Sequence, residues 1–170
     1  MTQSQEKFIK KLKREDYSYG IEGDKVVVTD RRSVSIKSPT SLPPGVVFKN
    51  KSYVDLESLT SLPPGVEFKN GGNVYLNSLT SLPPDVEFKN VGYVYLQSLT
   101  SLPPGVEFSN DGNVNLGSLT SISPGVEFRN GGDVFLDSLI DGWFSEWDGN
   151  IEGVDSNGLL NLMIKQGMFI

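Results

Sequence analysis

The sequence predicts a mainly β protein, a parallel β-solenoid of 20-residue coils closed by a cap at each end. Three observations support this prediction. The segment SLTSLPPGVEFKNGGNVYLN at 58–77 is followed by SLTSLPPDVEFKNVGYVYLQ, and five such units follow one another with no residue gained or lost. Within each unit, short stretches alternate apolar with polar residues, as strands buried on one side do. Proline and glycine clusters separate these stretches and are typical of turns.

Residues 1–37 are predicted to form an N-terminal cap that contains a helix. Residues 4–15 carry Phe8, Ile9 and Leu12 at helical spacing, with charged residues between them. The stretches KVVVTD and SVSI that follow are predicted strands, and we expect them to lead into the first coil.

Residues 38–137 are predicted to form five coils of a single domain. The coils begin at Ser38, Ser58, Ser78, Ser98 and Ser118, and a truncated sixth copy begins at Ser138. In the second coil the inward positions are Leu59, Leu62, Val66, Phe68, Val74 and Leu76. Across the five coils these positions are apolar at 29 of 30 places, the exception being Pro39. Six buried side chains do not offset the entropy lost in ordering a whole coil, so the coils must stack to be stable.

The asparagine corner leaves two topologies open. Asn-Gly between alternating strands is typical of a hairpin and would give an antiparallel meander. The equivalent corners read NKSY, NVGY and NDGN, and a type I′ turn disfavours Lys51 or Val91 at its second central position. The parallel solenoid is therefore favoured. We expect one asparagine from each corner to form a ladder that satisfies backbone groups. These are Asn50, Asn70, Asn90, Asn110 and Asn130.

The LTSLP core, followed by Pro/Gly and a VYL-like strand, resembles the short leucine-rich repeats of bacterial effector proteins. It is still more similar to the LRR-like repeats, of about twenty residues, that occur in bacteriophage proteins. The resemblance covers residues 38–140 and implies a parallel sheet formed by the L-x-L strand. This chain has a shorter segment between VYL and LTSLP and an additional V-x-F pair. That difference indicates a closed three-sided coil and disfavours a horseshoe.

Residues 138–170 break the period and are predicted to form a C-terminal helical cap. Asp155 or Ser156 would cap a short helix, and Gly167 would end it. The helix would carry Leu159, Leu160, Met163 and Ile164. The segments GNIEGVDS and LLNLMIKQGMF resemble the non-repeat ends of the phage LRR-like proteins.

Composition excludes several kinds of site. The chain has no cysteine and no histidine. Disulfides, zinc–thiolate centres and cysteine nucleophiles are excluded, and the commonest general base and transition-metal ligand is missing. We expect no metal and no cofactor. The N-terminus lacks an apolar leader, and no stretch approaches the roughly 18 apolar residues of a membrane span. We therefore expect a cytoplasmic protein without membrane contact, in the bacterial host if it is phage-encoded.

The net charge of −6 is unevenly distributed along the chain. Residues 1–37 hold nine Lys/Arg and six Asp/Glu, for +3, so residues 38–170 carry −9. Residues 133–155 contain seven acidic residues and no basic one. Phosphate contacts need lysine and arginine, so nucleic acid is an unlikely partner. A decoy of nucleic acid for a basic partner site is a lesser alternative.

Catalysis is not expected, because the repeat places like groups in rows and does not bring unlike groups together. One row is Glu67, Glu87, Glu107 and Glu127, and a second is Lys49, Lys69, Lys89 and Arg129. We interpret both as solvated charge rows that offset one another. The Ser-x-Thr rows resemble the threonine arrays of ice-binding proteins, but corner hydrogen bonding accounts for the hydroxyls more simply.

The outward positions that vary between coils are the predicted binding residues. They are Tyr53, Tyr75, Tyr93, Tyr95 and Phe135, with Asp133 and Asp137 beside them and Trp143 and Trp147 at the C-terminal end. Rigid, tyrosine-rich surfaces are favoured in protein recognition, although aromatic residues also suit exposed strands without any function. For the two tryptophans, sealing of the last coil is the first expectation and a role in binding the second.

We therefore predict a non-catalytic repeat scaffold that binds a macromolecule, most plausibly a bacterial protein. The phage resemblance implies that this partner is a host or defence protein that the chain inhibits. A sponge that sequesters a small molecule or nucleotide is the main alternative. Ice-binding and self-assembling structural solenoids are lesser ones, and two capped ends disfavour assembly.

Overall fold

The computed structural model describes residues 1–37 and 41–140, together with Asn161, Met163 and Ile164. The elements in chain order are α1 (Gln3–Arg14), β1 (Tyr19–Glu22), β2 (Lys25–Val28), β3 (Val34–Ser35), β4 (Val46–Phe48), β5 (Val54–Asp55), β6 (Glu67–Phe68), β7 (Val74–Tyr75), β8 (Glu87–Phe88), β9 (Val94–Tyr95), β10 (Ser101–Leu102), β11 (Glu107–Phe108), β12 (Val114–Asn115), β13 (Ser121–Ile122), β14 (Glu127–Phe128), β15 (Val134–Phe135) and α2 (Asp137–Ile140). The predicted mainly β fold is confirmed.

The strands form three sheets, one for each side of the coil. The V-x-F sheet has the order β1-β2-β4-β6-β8-β11-β14, the V-x-L sheet has the order β15-β12-β9-β7-β5-β3, and β10 pairs with β13 in a short S-L sheet. An isolated parallel bridge between Ser61 and Ser81 continues the S-L side in earlier coils. Each coil therefore has three sides, as the additional V-x-F pair predicts.

The coils stack in parallel with a register of one repeat. Val54 pairs with Val74, and Val74 pairs with Val94. On the next side Phe68 pairs with Phe88. Equivalent residues of successive coils thus lie directly above one another, which confirms the parallel solenoid and excludes the antiparallel meander.

The interior is filled by columns of identical side chains. The phenylalanines of the V-x-F strands are fully buried and stack with ring centroids 5.0–5.5 Å apart and planes within 6° of parallel. This column consists of Phe48, Phe68, Phe88, Phe108 and Phe128. Columns of valine and leucine from the other two sides pack against it in one continuous core. Each coil therefore covers the apolar face of the coil that follows it.

The asparagine corner forms the predicted ladder. The Asn70 side-chain amide donates to the carbonyl of Ser52 in the preceding coil at 3.1 Å. It also donates to the carbonyls of Gly72 and Asn73 in its own corner, at 2.9 and 3.3 Å. Asn50, Asn90 and Asn110 make the same three contacts in their coils. The amide thus ties each corner to the coil below while satisfying carbonyls that are removed from water.

The proline-rich corner needs left-handed backbone in every coil. Gly65 has a φ of +73°, and glycine recurs at this position in three other coils with φ between +72° and +83°. Asp85 takes the position in the remaining coil with a φ of +59°. Glycine adopts this region freely, and aspartate is among the residues that tolerate it.

The 20-residue register begins inside the segment predicted as the N-terminal cap. Strand β2 pairs with β4 and β3 pairs with β5, each in parallel and offset by one repeat. Helix α1 lies over this end and buries Phe8, Ile9 and Leu12 against the core, as its spacing predicts. Residue Gln5 joins the helix to the coil, because its side chain completes a capping box with Thr2 and donates to the Asp24 carbonyl at 2.7 Å.

At the other end, helix α2 begins at Asp137, one residue before the truncated sixth copy, and Leu136 before it is buried. Asn161, Met163 and Ile164 are helical, and Ile164 belongs to the core. The remaining residues of the predicted C-terminal cap lie outside the described part of the chain. They include Trp143, Trp147, Asp155, Ser156, Leu159, Leu160 and Gly167.

Candidate binding surface

The V-x-L sheet positions the predicted binding residues in two rows. In each strand the valine and leucine face the core and the residue between them faces outward, because side chains alternate along a strand. The register then aligns these central residues as one row, which is Asp55, Tyr75, Tyr95, Asn115 and Phe135. The residues two places earlier form the second row, which is Tyr53, Asn73, Tyr93, Asn113 and Asp133. We call this outward surface the V-x-L face.

Four tyrosines of the V-x-L face are in mutual contact, and we call them the tyrosine cluster. The rings of Tyr75 and Tyr95 stack with centroids 5.0 Å apart and planes 7° from parallel. Tyr53 meets Tyr75 edge-on at 5.8 Å, and Tyr93 lies against Tyr95 at 6.1 Å. Residues from three successive coils thus form one continuous aromatic surface.

The tyrosine cluster is accessible at its margins and packed at its centre. Tyr53 and Tyr93 are 43% and 44% exposed, whereas Tyr75 and Tyr95 are half-buried beneath them. Burial raises the pKa of Tyr95, with a smaller contribution from the neighbouring Tyr75 and Tyr93. The Tyr95 phenol therefore stays neutral near pH 7. Val91, which is 56% exposed at the adjoining corner, extends the apolar area.

Two asparagines that the sequence analysis did not single out stiffen this face. Asn73 accepts a hydrogen bond from the Tyr93 backbone N–H at 3.0 Å and donates to the Tyr75 hydroxyl at 2.9 Å. Asn113 accepts in the same way from the backbone N–H of Asp133, also at 3.0 Å. The available signal was their position, because each lies one repeat before the residue it holds.

The other predicted binding residues lie towards the last coil. Phe135 is 43% exposed and shares a row with Tyr95, with Asn115 between them, so it does not join the tyrosine cluster. Asp133 and Asp137 are exposed on either side of Phe135 in sequence. The structure therefore places aromatic and acidic residues on one face, in two neighbouring groups.

Acidic residues of the V-x-L face have polar contacts but no ion pairs. Asp55 accepts from the Ser35 hydroxyl at 2.9 Å, and Glu57 accepts from the Asn77 amide at 2.9 Å. Within residues 1–37 and 41–140, no lysine or arginine forms a salt bridge with Asp55, Glu57, Asp133 or Asp137.

The V-x-F face has the opposite character. Glu67 pairs with both Lys25 and Lys69, and these bonds lower the pKa of the Glu67 carboxyl. Glu87 pairs with Lys89 at 2.6 Å. The same spacing along the strand pairs Glu127 with Arg129, and Glu22 pairs with Lys49. Three of the four glutamates in the predicted acidic row are thus paired with a cation, and the fourth, Glu107, accepts a hydrogen bond from the Ser109 hydroxyl.

The serine and threonine hydroxyls are used at the corners. Thr80 donates from its side chain to the Thr60 carbonyl at 3.2 Å, and Thr120 does the same to Thr100 at 3.0 Å. Ser58 donates to the Ile36 carbonyl at 3.1 Å. Hydrogen bonding between coils therefore accounts for these side chains, as the sequence analysis expected.

Other kinds of site find no support in the part of the chain that the structure describes. It contains no group of three or more His, Cys, Asp or Glu residues placed to hold a metal ion. None of its helices has the length and apolar character needed to cross a membrane. Comparison of the chain with protein-family models, curated proteins and solved structures gives no match.

Proposed function

We propose that this chain is a non-catalytic repeat scaffold that binds a protein partner through the V-x-L face. The observation that carries the proposal is the tyrosine cluster, four contacting tyrosines on a sheet whose strands are fixed by core and corner. Tyrosine buries a large area at low entropic cost and is enriched where proteins bind one another. The polar V-x-F face, with its internal ion pairs, lacks such a surface.

The rigidity of the face supports binding without rearrangement. Each outward row stands on the interior columns, and Asn73 and Asn113 hold the backbone of the second row. A preorganised surface loses little conformational entropy on association. The partner we propose is a bacterial protein, in line with the phage-like repeats, and the resulting complex would block that protein in the bacterial cytoplasm.

The proposal is tested by capture of partners from a bacterial lysate. The test variant replaces Tyr75, Tyr93 and Tyr95 by serine, and the control replaces Glu87 and Lys89 by serine on the V-x-F face. We expect the wild type and the control to capture the same partner in similar amounts. The tyrosine variant should capture at least about tenfold less of it, the effect of removing a few hot-spot side chains. Thermal unfolding of each variant establishes that the fold is intact.

Two outcomes would contradict the proposal. Identical partner sets for the wild type and the tyrosine variant would remove the V-x-L face as the binding site. Absence of any partner, together with a small molecule released when the purified chain is denatured, would indicate sequestration in place of protein binding.

A further inference from the structure

Most carboxylates of the V-x-F face form ion pairs, whereas within the described part of the chain those of the V-x-L face do not. On the V-x-F face Glu67, Glu87 and Glu127 each pair with a lysine or arginine. On the V-x-L face, no described basic residue pairs with the carboxylates at either margin of the tyrosine cluster. Lys37 and Lys51 lie at its N-terminal end, so the acidic character is greatest at the last coil.

The acidic groups are placed at two ends of an aromatic surface. Asp55 lies opposite Tyr75 in the register, one strand before the stacked tyrosines. Asp133 and Asp137 flank β15, which is four strand spacings from β5. At about 4.8 Å per spacing, the two ends are roughly 19 Å apart, the length of about six residues of extended chain. An extended peptide segment therefore fits the dimensions of the face.

Arginine is the side chain whose chemistry fits both parts of this surface. Its planar guanidinium stacks on aromatic rings and forms paired hydrogen bonds with carboxylates. The chain already contains such an arrangement at its N-terminal end. Arg32 lies over the ring of Tyr17 at 5.4 Å and donates to Asp30 at 3.1 Å. The V-x-L face presents the same two residue types, tyrosine and aspartate, and its outward rows contain no arginine.

We propose that the V-x-L face recognises an extended, arginine-containing basic segment of its partner. Guanidinium groups lie against the tyrosine cluster, and Asp133 and Asp137 receive the basic residue at the far end. This inference rests on the proposed function and specifies the chemistry of the partner. Nucleic acid does not fit, because its phosphates would meet unpaired carboxylates.

The first test uses a fluorescently labelled eight-residue peptide of alternating arginine and glycine, titrated with the full chain and followed by anisotropy. Peptides with lysine or glutamate in place of arginine are the comparison. We expect saturable binding of the arginine peptide, about threefold or more weaker binding of the lysine peptide, and none of the glutamate peptide. Added salt should weaken binding, since the contacts are partly ionic.

The second test combines Asp133→Asn and Asp137→Asn. The control combines Glu107→Gln with Asp111→Asn, which removes the same charge away from the last strand of the face. We expect the test variant to bind the arginine peptide about fivefold to tenfold more weakly, the sum of two exposed ion pairs, and the control to change binding less than twofold.

The outcomes separate this inference from the proposed function. A lysate partner that is lost with the tyrosine variant but kept by the Asp133→Asn, Asp137→Asn variant, together with no peptide binding, overturns the arginine inference and leaves the scaffold proposal standing. Equal affinity for the arginine and lysine peptides also overturns it. Loss of the partner with both variants, together with arginine-selective peptide binding, supports both proposals.

Discussion

At the scale of single residues, Asp30 shows how the N-terminal turn of the solenoid, which contains β2 and β3, differs from the coils that follow it. It occupies the corner position that asparagine holds in later coils, and it is equally buried. Its carboxylate accepts from the backbone N–H groups of Ser18 and Arg32, both at 2.8 Å, and from the Arg32 guanidinium. These bonds hold the pKa of the Asp30 carboxyl well below its ordinary value. A side chain that only accepts is needed there because the groups facing it are donors.

Stability should therefore depend on the charge of Asp30. Because the pKa is depressed in the folded state, the stabilisation is present above the ordinary aspartate pKa of about 3.9 and is lost as pH falls towards the folded value. We expect Asp30→Asn to lower the free energy of unfolding at pH 7 by about 1.5–3 kcal/mol, the value of hydrogen bonds to a charged group. Below about pH 4 the difference from wild type should shrink.

Urea unfolding at neutral and acid pH measures this dependence. The matched control is Asp111→Asn, at an exposed corner, which should change the free energy of unfolding at pH 7 by less than about 0.5 kcal/mol. A deficit in Asp30→Asn that stays constant down to about pH 2 would show that its charge is not the source of the stabilisation.

At the scale of elements, the asparagine ladder joins neighbouring coils where they have no strands. The Asn90 side chain donates to the Gly72 carbonyl of the preceding coil at 3.1 Å and to Gly92 in its own corner at 2.9 Å. Each corner is therefore fixed to the one below by a buried side-chain amide as well as by backbone pairing. The position of this corner therefore also sets the position of the outward rows of the V-x-L face, which follow it in each coil.

Removal of one rung of the ladder should destabilise the solenoid without altering its surface. We expect Asn90→Ala to lower the free energy of unfolding by about 1–3 kcal/mol, because it leaves buried carbonyls with fewer partners. Gln97→Ala, which truncates an exposed amide one corner later, should change it by less than about 0.5 kcal/mol. Chemical denaturation of both variants provides the measurement, and equal effects would mean that the ladder is not stabilising.

The repeated elements and helix α1 were predictable from the sequence, whereas the start of the 20-residue register was not. A constant period combined with two-residue alternation determines which side chains face inward and which coils are neighbours, so the parallel register and the asparagine ladder followed from it. The sequence analysis began the coils at Ser38 because the alignment used the Ser-x-Thr start, which is absent from the N-terminal segment. It therefore did not show that the register extends back to β2 and β3. Val26, Val28, Val34 and Ile36 carried the signal, since each lies one repeat before an equivalent apolar residue.

The candidate site was predictable to the same degree. Tyr75 and Tyr95 share a position in consecutive coils, so their proximity follows from the period. The edge-on contact of Tyr53 and the tilted contact of Tyr93 depend on side-chain torsions set by local packing, which the sequence does not encode in any pattern. The backbone contacts of Asn73 and Asn113 were missed although the period places each of them beside the residue one repeat later that it contacts.

At the scale of the whole molecule, single side chains occupy strand edges at both ends. At the N-terminal edge of the V-x-L sheet, the Tyr17 hydroxyl accepts from the Ser35 N–H at 3.1 Å and donates to its carbonyl at 3.4 Å. At the C-terminal edge of the V-x-F sheet, the Asn161 amide accepts from the Phe128 N–H at 2.8 Å and donates to its carbonyl at 2.7 Å. Each side chain takes the place of a neighbouring strand, which prevents pairing with another molecule.

Opening these edges should promote end-to-end association. We expect the double variant Tyr17→Phe, Asn161→Asp to form species larger than the wild type, increasingly so with concentration. The side-chain volumes remain, but residue 17 loses both hydrogen bonds to Ser35 and residue 161 loses the one that it donates to the Phe128 carbonyl. The control is Asn115→Asp, the same change within an interior strand. Size-exclusion chromatography with light scattering distinguishes them. A double variant with the mass of the control at all concentrations would show that the Tyr17 and Asn161 side chains do not limit assembly.

The constant 20-residue register has a consequence for how such a chain can change over generations. Because each interior coil meets its neighbours through the same columns and the same corner, one coil can substitute for another. Recombination between near-identical stretches of the gene would add or remove a whole coil and leave intact the two ends, where Tyr17 and Asn161 occupy the strand edges. Each such event would move the two acidic ends of the V-x-L face apart or together by about 4.8 Å. The spacing read by a partner can thus be altered in fixed steps, independently of the core.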